Sequence, residues 1–133
     1  MTKTGTAPGL DEIERLALAA VDALPDGFRE PARAVVLRVE DLASAQILDE
    51  MGIADPFELT GLYDGIPLTQ KSVTDPAPAP DVIWLFRRAI LDEWIDRGDV
   101  TLEALVAHVM VHELAHHFGW SDDDIAAIDR WWE

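Results

Sequence analysis

The chain has 133 residues, a length that suits one domain, and 49% of them are apolar, so a core can form without covalent staples. There is no cysteine, which excludes a disulfide framework and a thiolate metal site and suits a reducing compartment. The net charge of −16 repels phosphate backbones and favours cations and basic peptides, and no apolar run reaches the ~18 residues that a membrane span needs. The expectation is a soluble cytoplasmic protein with neither nucleic acid nor membrane as partner.

In chain order, Met1 to Gly9 is short, polar and rich in Thr, Gly and Pro; it reads as a flexible end without the apolar stretch of a secretion signal. Residues 10–133 read as one domain. Asp11 is the expected N-cap of a helix reaching about Leu24, with Ile13, Leu16, Ala17, Ala20, Val21 and Leu24 at helical spacing. Pro25-Asp26-Gly27 ends it. The β-branched run in Ala34 to Glu40 predicts a strand, and Leu42 to Met51 a short helix stopped before Gly52. Glu58 to Tyr63 reads as a strand, with Asp64-Gly65 turning it into a hairpin arm at Ile66 to Leu68, where Pro67 requires an edge. The segment Asp75-Pro76-Ala77-Pro78-Ala79-Pro80 reads as a stiff spacer, with a rim of the cleft as the alternative.

Asp81 to Phe86 is the strongest strand pattern in the chain. Arg87 and Arg88 lead into a helix ending near Arg97 before Gly98-Asp99. Thr101 caps the next helix, Leu102 to Phe118, and Ser121 or Asp122 opens a last short one through Ile125, Ile128 and Trp132. A short mixed sheet packed on at least three helices makes the class α+β.

The chemistry gathers at His112 to Asp122, His-Glu-Leu-Ala-His-His-Phe-Gly-Trp-Ser-Asp, which reads HEXXHXXGXXD. Residues four apart share a helix face, so His112 and His116 can aim their imidazoles at one point, where zinc takes nitrogen ligands at roughly 2.0–2.1 Å. Glu113 flanks that point and can take a proton from a water polarised by the metal. Gly119 can leave the helix through a left-handed conformation and bring Asp122 back as a third ligand, which leaves one coordination position open. Asp123 and Asp124 compete for that role; the motif spacing favours Asp122. His108, one turn before His112, reads as a polar helix residue beside the site. His117, rotated off the line of the two ligands, reads as supporting the site or facing solvent. Tyr63, the single tyrosine, reads as a half-buried strand residue, with a place at the cleft as the alternative.

At the motif the chain is similar to the metzincin-type signature in which Asp replaces the third His. No methionine follows Asp122, however, and only 11 residues remain after it, too few for the lower metzincin subdomain. As a whole the chain more closely resembles the small bacterial zincin-like metallopeptidases. The pattern runs through Leu24-Pro25, Val39-Glu40-Asp41, Leu59-Thr60-Gly61-Leu62-Tyr63-Asp64-Gly65 and Asp81-Val82-Ile83-Trp84-Leu85-Phe86-Arg87 to His112–Asp122. The resemblance implies a minimal zincin fold, Zn²⁺ on His112, His116 and Asp122, and Glu113 as general base. The expected activity is zinc-dependent hydrolysis of a peptide or protein substrate, with basic sequences favoured by the charge. The alternative is a metal-binding regulatory or interaction module of the same fold without turnover.

Overall fold

A computed structural model describes residues 8–65 and 81–119. In order, these form α1 (Leu10–Asp22), α2 (Arg29–Arg33), β1 (Val36–Glu40), α3 (Ala45–Met51), a 3₁₀ turn (Pro56–Glu58), β2 (Gly61–Asp64), β3 (Val82–Phe86), α4 (Arg87–Arg97) and α5 (Leu102–Phe118). The described strands make one mixed sheet, ordered β1-β3-β2. β3 runs parallel to β1, with Leu37 opposite Ile83 and Val39 opposite Leu85. It runs antiparallel to β2, with Gly61 opposite Leu85 and Tyr63 opposite Ile83. The α+β class expected from the sequence is what the chain adopts.

The central strand explains the strongest sequence pattern. β3 is paired on both edges and covered on both faces, so its side chains are apolar without alternation. Ile83 and Leu85, both 0% exposed, face the main core with Ile13, Leu16 and Val21 of α1 and Leu105, Val106 and Val109 of α5. Phe86 belongs to a second cluster on the opposite face with Ala43, Leu59 and Ala89, and Trp84 packs beside it. The Arg38 guanidinium lies 5.8 Å over the Trp84 ring on that face. α4 follows β3 directly, because Asp41 at the end of β1 receives its first turn. The Asp41 carbonyl accepts the Arg88 N–H at 3.0 Å, and its carboxylate accepts Nε of Arg87 at 2.7 Å. The Trp94 indole N–H donates to the Val100 carbonyl at 2.9 Å and closes the turn from α4 into α5.

Several boundaries differ from expectation for identifiable reasons. Gly9, not Asp11, is the cap residue of α1; Asp11 lies inside the first turn, where its charge meets the positive end of the helix dipole. The helix ends at Asp22, although Leu24 remains buried. β1 begins at Val36 because residues 29–33 wind into α2. α3 begins at Ala45 because the Ser44 hydroxyl accepts the Ile47 N–H at 3.2 Å. β2 begins at Gly61 because Asp55 accepts the Phe57 N–H and starts the 3₁₀ turn at Pro56. The observed partner of β2 is β3; the expected hairpin arm Ile66–Leu68 lies outside the described residues. So do most of the N-terminal end, the proline-rich segment 75–80 and the last helix expected from Ser121.

Ile83→Ala, in the center of the main core, is expected to cost about 3 kcal/mol. Ile95→Ala, at a side chain that is 76% exposed, is expected to cost less than about 0.5 kcal/mol. Urea denaturation of the two variants checks the contrast.

Candidate functional site

α5 is apolar on nearly every side, with Leu105, Val106, Val109, Met110, Val111, Leu114, Ala115 and Phe118 buried. Thr101 starts it by accepting the Ala104 N–H at 3.0 Å. Gly119 ends it at φ +77°, in the left-handed region where a side chain is strained. The helix therefore has fixed ends and a fixed seat, and its few polar side chains emerge in set directions.

His112 and His116 come together. Their ring centroids are 5.0 Å apart and the rings are inclined by 79°. Two imidazoles bound to one tetrahedral ion at about 2.0 Å would have centroids about 5 Å apart, so the observed pair fits a shared ion. His112 is half-buried and His116 exposed, which leaves the point between them open to solvent. His108 stands one turn earlier, at a centroid distance of 6.4 Å from His112, wider than a tetrahedral pair allows. It lines a cleft of about 200 Å³ with Thr60, Glu93, Arg97, Val109, His112 and Glu113. Among the described residues no three His, Asp or Glu side chains converge on one point. Asp122, the expected third ligand, and its neighbours Asp123 and Asp124 lie outside the described residues.

Glu113 flanks the pair, half-buried between α5 and β2. Burial pushes its carboxyl up to about 7, while a hydrogen bond from the Tyr63 main-chain N–H pulls in the opposite direction. A carboxyl poised there can both take and return a proton near neutrality. The room for it comes from Gly61: a Cβ on that residue would lie 2.7 Å from Val109 Cγ1 and 3.2 Å from Glu113 Cγ.

A second polar group, behind the first, was not legible as a unit. The Tyr63 hydroxyl donates to Oδ2 of Asp81 at 3.0 Å and lies 3.2 Å from Nδ1 of His117. That same nitrogen is 3.0 Å from Oδ2 of Asp81. Asp81 and His117 are 8% and 4% exposed, the two polar residues buried with the described core. His117 thus turns inward, and the solvent-facing alternative is overturned: α5 is covered on that side by β2. Tyr63 is half-buried as expected, but its hydroxyl is committed to this cluster, not to the cleft. Burial, then the Asp81 hydrogen bond and charge, raise its pKa well above the ordinary phenol value. The only sequence sign of the cluster was a lone acid, Asp81, directly before the apolar run of β3.

A family model described as zincin-like metallopeptidase matches residues 32–132. No curated protein matches the chain. Among the described residues no helix is long and apolar enough to cross a membrane.

The raised Glu113 carboxyl sets the sign of a pH effect in metal-stripped protein. Its folded value, about 7, exceeds the 4.5 of an unperturbed group. Its contribution to stability is therefore complete below about pH 4.5 and is lost as pH rises through about 7. Relative to Glu113→Gln, the chelated wild type should lose up to about 3 kcal/mol across that window in urea titrations.

Proposed function

The chain belongs to the zincin-like metallopeptidase family, and from that premise we propose that it is a zinc-dependent peptidase with Glu113 as its general base. The observation that carries this reading is the His112–His116 pair, set 5.0 Å apart beside a half-buried carboxylate at an open cleft. His112 and His116 would hold the ion, with Asp122, delivered by the turn at Gly119, as the third ligand. When bound, zinc supplies Lewis-acid polarisation of the water and of the scissile carbonyl.

The chain's own residues do the rest. Glu113 accepts the proton of the attacking water and passes it to the departing amine. Burial raises its pKa in the metal-free chain, and a cation held by the neighbouring imidazoles would lower it again and favour the proton-accepting form. The cleft lined by Thr60, Val109 and His108 takes the substrate next to the scissile bond. The net charge of −16 favours basic peptides.

Protein purified without added metal is expected to carry one zinc per chain by elemental analysis, and chelation is expected to lower its melting temperature. Glu113→Gln is expected to retain the zinc and lose about a hundred- to ten-thousandfold in cleavage of a fluorogenic peptide library. Asp122→Ala is expected to lose zinc. Undiminished cleavage by Glu113→Gln would remove the assignment. Stoichiometric zinc with no chelator-sensitive cleavage by the wild type would favour a metal-binding module without turnover.

A further inference from the structure

His112 and His116 are held differently. His112 lies inside α5, with wound turns on either side of it. His116 lies in the last turn, shortly before Phe118 ends the helix. The last four carbonyls of a helix have no partner within it, and end turns open at little cost. The side chain of His116 is exposed, so burial does not fix it either. The 5.0 Å between the two rings therefore exists only while that last turn stays wound.

The turn is secured in part locally. The Gly119 N–H donates to the His116 carbonyl at 3.0 Å, and Phe118 packs on Phe28 with ring centroids 5.4 Å apart. A further hold comes from the sheet, at Asp81, directly before β3. Its main-chain carbonyl accepts the Val36 N–H of β1 at 2.9 Å. Its carboxylate reaches the other way: Oδ2 accepts the Tyr63 hydroxyl of β2 at 3.0 Å and lies 3.0 Å from Nδ1 of His117. One residue thus ties β1, β2 and the last turn of α5 to the start of β3.

Burying the Asp81 carboxylate is costly unless its oxygens are bonded, and an apolar pair would fill the same space without that cost. What a hydrogen-bonded pair adds is one direction and one distance. Gly65 makes room for it, because a Cβ there would collide with the Asp81 carboxylate. His117 directly follows His116 in the chain. Fixing the His117 ring in the core therefore fixes the stretch of backbone from which the His116 imidazole projects.

We propose that Asp81, acting through His117, is the positioning residue of His116, keeping the last turn of α5 wound at the spacing an ion needs. This rests on His112 and His116 holding the metal, and not on the cutting of peptides. The effect of Asp81 falls on metal affinity and on ligand geometry.

The test compares three variants. Asp81→Ala removes the anchor, and His117→Phe fills the same space without the hydrogen bond. Asp81→Asn keeps the shape and an oxygen that can accept. In competition with a chelator, at a temperature where each protein is folded, the first two are expected to weaken zinc binding about ten- to hundredfold, and Asp81→Asn by less than about threefold. The visible absorption of the cobalt-substituted protein reads ligand geometry and not stability; it is expected to change in the first two and to match the wild type in the third. In metal-free protein, amide hydrogen exchange at His116 and His117 is expected to accelerate about tenfold or more in Asp81→Ala, while exchange at Val109 and Met110, in mid-helix, stays unchanged. Unchanged zinc affinity in Asp81→Ala and His117→Phe, or unchanged exchange in the last turn, overturns the proposal, and so does a wild type that takes up no zinc. If the wild type binds zinc but cuts no peptide, the peptidase reading falls while the zinc affinities still decide this one, so the two fail separately.

Discussion

At Gly61 the backbone of β2 approaches α5 so closely that no side chain fits between them; a Cβ would sit 2.7 Å from Val109 Cγ1. This approach lets Gly61 lie against Glu113 and Tyr63, two residues on, reach His117. The period of 3.6 residues then produces two adjacent rows. Glu113 and His117 face the strand, and His112 and His116 face the open side. The contacts of buried His117 with Tyr63 and Asp81 give α5 a directional attachment on the strand side. A helix seated by apolar packing alone could turn by some degrees at little cost. A helix that also engages the strand side through a buried, hydrogen-bonded histidine resists that turn.

The remainder of the structure provides the seat. Leu105, Val106 and Val109 of α5 interlock with Ile13, Leu16 and Val21 of α1 and with Ile83 and Leu85 of β3, and a side chain of this kind contributes roughly 1.5–3 kcal/mol when fully buried. Ion pairs contribute little to that seat. Arg15–Glu12, Arg29–Asp26, Arg33–Asp22 and Arg97–Glu93 are exposed pairs, of a kind worth about 0–1 kcal/mol each. They also consume much of the scarce positive charge, ten basic residues against 26 acidic ones, so the surface as a whole remains acidic. The polar investment that matters lies inside, at Asp81 and His117.

Elements whose cause is local were legible in the sequence. Thr101, Gly98 and Gly119 marked the ends of α4 and α5, and the apolar run of Val82 to Phe86 marked a strand. The spacing of His112 and His116 announced their meeting before any geometry was known. What was not legible depends on contacts distant in sequence. Tyr63 meets Asp81 across 18 positions and His117 across 54, and no periodicity encodes either. His117 was ambiguous for a specific reason: a helix apolar on almost every side gives no polar face from which to judge direction. Arg29–Arg33 was missed because a five-residue helix containing Pro31 and two arginines has no apolar stripe to detect.

The strand order β1-β3-β2 has a consequence for synthesis on the ribosome. β3 is the last of the three to be translated, yet it lies between the other two and is the one they both pair with. Until it emerges, neither earlier strand has its observed hydrogen-bonding neighbour, and Asp81, at the threshold of β3, has not arrived to receive the phenol. The helix that bears the histidines is made later still. In a nascent chain of this topology the described sheet can close only once β3 has emerged, and the paired histidines can be seated against it only after that.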